Sequence, residues 1–407
     1  MDRRTFISTT AAAGAGIGFS RLGHARGHDL VLKNMKCLIN GSFQRADLGI
    51  RNGKIASIAP PGSLRGSSRV LTGEDLYVSP GWVDLHCHYV DWAHRKSPGA
   101  PISRLGLSQG VTALQDAGTV GAANYDRLLN ALSDDDTGVP CYSLLSIKRE
   151  GIKLTDFYTT RKGYDDIPAM DPIVAQNRQL ISGLKVRADN QVSPRDDRLY
   201  YVRKIREAGD RYDLRAMIHI SGPPPSLRDI LPYMKEGDMV THFLRGQDNS
   251  IIGPSGKVLP EVKEAFRRGV RFDLGHGMGS FSFSDAQRAL DQGFDDFTIS
   301  SDLYIMSIPF YAKTFANVLT QFLAVGMPLE GIMERASTRP AKVLGLEREI
   351  KEGAEATLTV FSIKSGRFEC KDVTGETRFS DRRVFPEWSI LKGVHSPAGE
   401  HDKKLFL

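Results

Sequence analysis

The sequence predicts an α/β fold, a barrel of eight parallel strands and eight helices that carries a small β domain. Short apolar runs alternate with helical patterns from about residue 79 to 340, which is typical of repeated β–α units. Eight such runs are present, the number that closes a (β/α)8 TIM-like barrel. Strand-like segments with tight-turn signals lie on both flanks, and we expect them to form a small β-sandwich domain.

Both flanks contribute strands to the small domain, which we assign to residues 26–78 and 341–400, with the barrel between them at 79–340. In the first flank, Asn40-Gly41 and Asn52-Gly53 predict tight hairpin turns, because asparagine and glycine both tolerate a positive φ. The two ends of the chain are therefore expected to meet in one domain.

The carboxyl ends of the barrel strands are the expected location of a functional site, because barrel active sites are built there. The strands are predicted to end near a set of mostly polar residues: His88, Gln115, Ile147, Lys185, His219, His242, His276 and Asp302.

Composition excludes several classes of protein. Hydrophobic residues make up 41% of the 407 residues and charged residues 25%, which is ordinary for a soluble globular protein. The net charge is +6, but the basic residues are scattered, so nucleic-acid binding is not expected. Four cysteines without CxxC spacing argue against a disulfide framework or a cysteine zinc site.

The N-terminus resembles a twin-arginine export signal over residues 1–25. Arg3 and Arg4 precede Phe6 and Ile7, and a mildly apolar, Ala/Gly-rich stretch follows. Gly23-His24-Ala25 has the small-x-small pattern of a cleavage site. We therefore expect a periplasmic or exported protein, or a cytoplasmic one if the signal does not function, and no membrane span.

The first metal-ligand signal is a pair of histidines on the first barrel strand. His86 and His88 are two residues apart, so both side chains project to the same side of the strand, where they can bind one ion. His219, His242 and Asp302 lie at the ends of later strands. A lone histidine on a strand is more often structural, but this repeated placement indicates a metal site.

Lys185 lies at the expected end of the fourth strand, in Ser182–Arg187. A lysine that points into a barrel is costly unless it is neutralised or paired. Its ammonium form cannot bind a cation, whereas a carbamate formed with carbon dioxide has two oxygens that could bridge two ions. The alternative is an ordinary lysine that reaches solvent or pairs with a carboxylate.

Taken together, these residues resemble the amidohydrolase superfamily from about residue 45 to 365. The resemblance rests on the order HxH, Lys, His, His, Asp at the ends of strands one, four, five, six and eight. A narrower resemblance, to the deacetylase-like group often labelled dihydroorotase-like, rests on four segments: Gly183–Ala188, Gly237–His242, Asp273–Phe281 and Ser300–Leu303.

The resemblance implies a binuclear hydrolase that removes an acyl group, expected to be acetyl, from a small N-acyl amino acid or O-acyl hydroxy acid. It implies two divalent ions, with zinc as the default. One ion would be bound by His86, His88 and Asp302, the other by His219 and His242, and carboxylated Lys185 would bridge both. A hydroxide between the ions would attack, with Asp302 as the catalytic proton acceptor. A homo-oligomer is also implied.

One departure concerns the substrate. Dihydroorotases extend the HxH motif with an arginine that holds the substrate carboxylate, whereas Tyr89 and Val90 follow His88 here. If the substrate is a carboxylate, another cation must hold it, and the candidates are Arg187 and Arg149. His276 and Tyr304 are further candidates for substrate contact.

Three alternatives remain open. A cyclic amidase of the dihydroorotase or hydantoinase type would use the same metals on a ring-shaped substrate. A mononuclear deaminase is disfavoured by Lys185, because a single ion needs no bridge. A non-catalytic barrel relative is disfavoured because such relatives usually lose ligands, and all six positions are present here.

Overall fold

The strands of the protein form two sheets in the computed structural model, which describes residues 27–90, 99–152 and 160–404. The predicted export signal at residues 1–25 lies outside the described residues, and export stays a prediction. Within the described ranges, no helix is both long enough and apolar enough to cross a membrane.

The strands, numbered in chain order, have the following bounds: β1 Leu30–Ile39, β2 Ser42–Arg51, β3 Lys54–Ala59, β4 Val70–Thr72, β5 Leu76–Pro80, β6 Trp82–Cys87, β7 Val111–Asp116, β8 Cys141–Ser146, β9 Ile181–Ala188, β10 Ala216–Ile220, β11 Met239–Thr241, β12 Arg271–Asp273, β13 Leu358–Lys371, β14 Thr377–Leu391 and β15 Val394–Pro397. The helices are α1 Ile102–Leu105, α2 Asp126–Ser133, α3 Met170–Asn177, α4 Tyr200–Tyr212, α5 Leu227–Ile230, α6 Pro260–Arg267, α7 Phe283–Asp291, α8 Phe315–Val325, α9 Leu329–Ala336, α10 Thr338–Val343 and α11 Glu400–Lys404.

The flanking strands form one mixed sheet of eight strands. Its order is β15-β14-β13-β5-β1-β2-β3, and β4 pairs with β1. β13 pairs antiparallel with β5, which joins the C-terminal strands to the N-terminal ones. The predicted hairpin turns are present, since Asn40, Gly41, Asn52 and Gly53 all have positive φ. The sheet has its own apolar core, drawn from residues of both flanks.

The middle of the chain forms the predicted parallel barrel. Strands β6 to β12 pair in sequential order, and every pair is parallel. A segment from Thr298 to Leu303 occupies the eighth position, where Thr298 bridges Asp273 and Leu303 bridges Cys87. This segment does not form a continuous strand, since Asp302 has φ +49°, which is not strand geometry. The predicted barrel with a small β domain is confirmed, with an irregular eighth strand; the strands of the small domain pair into one mixed sheet in place of the expected β-sandwich.

Candidate metal centre

A cavity of about 430 Å³ opens at the carboxyl ends of the barrel strands. Four of the six predicted ligands line it: His86 and His88 from the first strand, His219 from the fifth and Asp302 from the eighth position. The other two predicted ligands, Lys185 and His242, are buried in direct contact with this group. The structure therefore brings together all six residues.

Hydrogen bonds behind the histidine rings determine which nitrogen faces the centre. His86 Nδ1 lies 2.9 Å from Thr241 Oγ1, and that hydroxyl donates to Asp273 at 3.0 Å. Because the hydroxyl hydrogen is used in this way, Thr241 accepts from His86 Nδ1–H. The Nε2 lone pair of His86 then points towards the centre, as in metal-binding histidines that are oriented by a carboxylate.

In His88 and His242, too, Nδ1 donates to an acceptor behind the ring. His88 Nδ1 lies 2.7 Å from Thr119 Oγ1, which donates to Asp116 at 2.7 Å. His242 Nδ1 lies 2.7 Å from the carbonyl oxygen of Gly275, so it must donate. In all three residues the nitrogen that faces the centre is Nε2, free of its proton and suited to bind a cation.

The ligand atoms lie close to one another. One ligand atom each from His86, His242 and Asp302 forms a group in which all distances are within 4.8 Å. His88 Nε2 is 3.2 Å from Asp302 Oδ1, and His242 Nε2 is 2.9 Å from His219 Nδ1. Within this compact group, His86 and Asp302 are predicted ligands of the first ion, and His242 is a predicted ligand of the second. The division of ligands between two ions therefore stays a prediction.

Three histidines of the centre, His86, His219 and His242, have lowered pKa values, which favours their neutral forms. Burial lowers the pKa of His242 to about 3, and burial and the nearby Lys185 hold the pKa of His86 well below its usual range. The pKa of His219 is likewise lowered well below normal, mainly by burial. Neutral imidazoles are the form that binds metal, so these residues need not lose protons to do so.

Lys185 is the unusual member of the cluster. Its side chain is 1% exposed, and Nζ lies 3.3 Å from His86 Nε2 and 3.3 Å from Met217 Sδ. Within the described ranges it forms no ion pair with a carboxylate. Burial lowers the pKa of Lys185 to about 8, which makes the neutral amine more accessible than for an exposed lysine. A buried lysine without a carboxylate, set among imidazole lone pairs, fits a cation site in which it is chemically modified.

The backbone at two of the ligands is in a sparsely populated conformation. His242 has φ +74° and Asp302 has φ +49°. Such a conformation costs of order 1–3 kcal/mol for a residue other than glycine, and it persists where the surroundings impose it. Here a glycine faces each ligand: a Cβ on Gly275 would overlap the His242 ring, and a Cβ on Gly277 would overlap Asp302 Oδ2.

The structure brings two of the four predicted substrate residues to the cavity. Arg187 and Tyr304 line it. Arg149 instead has a 67% exposed side chain near Asp166, outside the cavity. His276 is buried behind the cavity: its Nε2 lies 2.8 Å from Gln321 Oε1, and its ring stacks on Phe281. Neither side chain lines the cavity, so a substrate contact by Arg149 or His276 stays a prediction.

Sequence reasoning missed Arg245, which lines the same cavity. It lies three residues after His242, at the end of the sixth strand, so its position on the chain was the available signal. The loop that follows the seventh strand, Met278–Ser280, also lines the cavity and gave no such signal.

We expect Thr119→Val to weaken metal binding or activity by about 10- to 100-fold, because losing a partner behind a ligating histidine typically has that effect. Thr119 is the residue that accepts from His88 Nδ1. Metal titration and turnover would measure the change, with Thr338→Val, at a partly exposed threonine, as control. Unchanged metal affinity and turnover in Thr119→Val would contradict a ligand role for His88.

Comparison with known proteins gave three informative similarities. The chain is 28% identical over 394 residues to a protein from Enterococcus faecalis named deacetylase, which covers 90% of this chain and 98% of that protein. A crystal structure named as a dihydroorotase matches with a TM-score of 0.82 at 27% identity, over 91% of this chain and 99% of that one. A structure named as an adenine deaminase matches with a TM-score of 0.80 at 26% identity, over 91% and 100%. No family model matches the sequence.

Proposed function

Because this chain belongs to the amidohydrolase superfamily and is a metal-dependent hydrolase, we propose that it removes an acyl group, acetyl in the first instance, from a small molecule. The proposed substrate is an N-acyl amino acid or an O-acyl hydroxy acid. The observation that carries the proposal is the convergence of His86, His242 and Asp302 within 4.8 Å, at a cavity of about 430 Å³. A cavity of that size suits a small ligand.

The proposed cofactor is a pair of divalent ions, with zinc as the default. His86, His88 and Asp302 would hold one ion, and His219 and His242 the other. When bound, such ions polarise a carbonyl group and make water a stronger nucleophile at neutral pH. The imidazole nitrogens and the carboxylate are donors of the kind that zinc prefers. Lys185 would join the two halves of the site as its carbamate.

Asp302 is the proposed general base and acid. Its side chain is 14% exposed, so substrate can reach it, and its Oδ1 lies 3.2 Å from His88 Nε2. The carboxylate would accept a proton from the attacking water and deliver it to the leaving nitrogen or oxygen. The positive φ of Asp302 and the close approach of Gly277 fix the carboxylate in this position.

A cyclic amidase is the second candidate function, favoured by the similarity to the structure named as a dihydroorotase. It would use the same ligands on a ring-shaped substrate. The similarity to the structure named as an adenine deaminase gives a mononuclear deaminase less support. Lys185 lies at the centre as a proposed bridging ligand, and a site with a single ion needs no such ligand.

The test is metal content and hydrolysis measured together on the full chain, purified with zinc and bicarbonate. The panel contains N-acetyl-D- and N-acetyl-L-amino acids, acetylated 2-hydroxy acids and cyclic ureides. Close to two ions per chain with acyl release would support the proposal. Two ions with ureide opening alone would favour the cyclic amidase, and no metal with no turnover would overturn both.

A further inference from the structure

Two arginines line the cavity, and their charges are compensated differently. Arg187 forms an ion pair with Asp189, whose carboxylate is fully buried: its Nη2 and Nε lie 2.7 Å and 3.0 Å from Oδ2. The charge of Arg187 is therefore largely neutralised by the protein itself. This arginine has little left with which to attract an anionic ligand.

Arg245 has no carboxylate in direct contact, although the nearby Asp189 and Asp248 attract its charge. The residue is only 7% exposed, and its guanidinium donates to neutral acceptors: the carbonyl oxygen of Ile220 at 3.0 Å and Gln247 Oε1 at 3.5 Å. Its Nε is buried without any hydrogen-bond partner. In the part of the chain that the structure describes, Arg245 forms no ion pair with a carboxylate. Because no carboxylate contacts it directly, this buried cation would gain from a ligand that supplies a paired negative charge.

The backbone around Arg245 is held rigidly. The N–H of Gly246 donates to Asp285 at 2.8 Å, and the hydroxyl of Ser250 donates to the same carboxylate oxygen. On the other side, Leu244 pairs with Phe281 in a β-bridge. The guanidinium is thus attached to a fixed segment, and binding an anion there would require little ordering of the protein.

We propose that Arg245 binds a carboxylate of the substrate while the acyl group lies at the metal ligands in the same cavity. The inference rests on the proposed hydrolase function and selects, among the compounds of the panel, those that carry a free carboxylate. A guanidinium can donate two parallel hydrogen bonds to a carboxylate, which fixes orientation as well as charge. Arg187, already paired with Asp189, shapes the wall of the cavity.

The test compares matched ligands that differ only in charge. The best N-acetyl amino acid of the panel and its carboxamide are assayed on the metal-loaded wild type and on Arg245→Gln. We expect Arg245→Gln to lower kcat/KM for the carboxylate by about 10- to 100-fold, the range for a lost charged hydrogen bond. We expect kcat/KM for the carboxamide to change less than threefold, on the order of experimental error. Equal losses on both substrates would overturn the proposal.

A binding measurement separates this inference from the proposed function. N-methylsulfonylalanine, which has no acyl carbonyl to hydrolyse, and its carboxamide are titrated calorimetrically into wild type and Arg245→Gln. Selective loss of carboxylate binding in the variant would support the role of Arg245 even if no panel compound is turned over. A wild type that binds neither, or binds both equally, would overturn it.

Two controls exclude a structural effect. Arg228→Gln removes an exposed arginine that pairs with Glu261, and should leave both substrates unchanged. Metal content and the melting temperature of Arg245→Gln should match the wild type. If that variant does not fold, Arg245→Lys keeps the charge and removes the paired donors. Wild-type affinity for the carboxylate in Arg245→Lys would contradict the proposed two-bond contact.

Discussion

Lys185→Ala is expected to purify with about one metal ion per chain or fewer and to lose activity by more than about 100-fold, since it removes a proposed direct ligand. Lys185 has no carboxylate partner among the described residues, and its Nζ contacts His86 Nε2 at 3.3 Å. If the lysine were only structural, its removal would leave the histidines and Asp302 able to bind metal as before. Elemental analysis after dialysis, together with turnover, would measure the difference.

A matched control is available just after the neighbouring strand β8, which ends at Ser146. Lys148 is also a buried lysine, 6% exposed, and its Nζ lies over the Tyr201 ring rather than among the histidines. Lys148→Ala should retain its metal. Formate added to Lys185→Ala should restore part of the activity, because the space left by the side chain can hold a small carboxylate. Full metal occupancy in untreated Lys185→Ala would rule out the bridging role.

Asp302→Asn is expected to reduce kcat by about 10²- to 10⁴-fold, the usual contribution of a positioned general acid or base. Asparagine has the shape of aspartate but cannot accept the proton. Because Asp302 is also a proposed ligand, metal content is measured in the same preparation, and turnover is expressed per bound metal. The exposed Asp295→Asn serves as the control, since its side chain is 60% exposed.

The pH profile distinguishes the two roles of Asp302. If Asp302 acts as the base, kcat per bound metal in Asp302→Asn should be low over the whole pH range in which the wild type is active. Wild-type kcat per metal in the variant, with an unchanged profile, would show that another group moves the proton. Loss of metal alone would produce inactivity without changing the profile of the remaining loaded enzyme.

The sequence predicted those features that depend on strand periodicity. His86 and His88 share one side of a strand because alternate side chains do, and placing Lys185, His219 and His242 required only the ends of their strands. Asp302 was predicted in the same way, but no local pattern encodes its left-handed backbone or the close approach of its carboxylate to Gly277.

Substrate contacts were harder to predict, because loops beyond the strands determine them. Arg149 follows the third strand by three residues, yet the chain turns there and directs its side chain towards Asp166. Arg245 occupies an equivalent place after the sixth strand and does line the cavity. The placement of Arg245 in the cavity depends on long-range contacts such as that of Gly246 with Asp285. The difference between Arg245 and Arg187 likewise depends on a tertiary contact, the ion pair of Arg187 with Asp189.

The junction between the two ends of the chain has a consequence for biosynthesis. β5 lies between β1 and β13, and the N–H of Trp82 donates to Thr359 Oγ1, 277 residues further along the chain. During translation, β5 therefore cannot pair with β13 until the barrel between them has been synthesised. Until then one edge of β5 is open, and open edges pair with other chains. A chain that ends just before residue 358 would contain the whole barrel and would still carry this aggregation-prone edge.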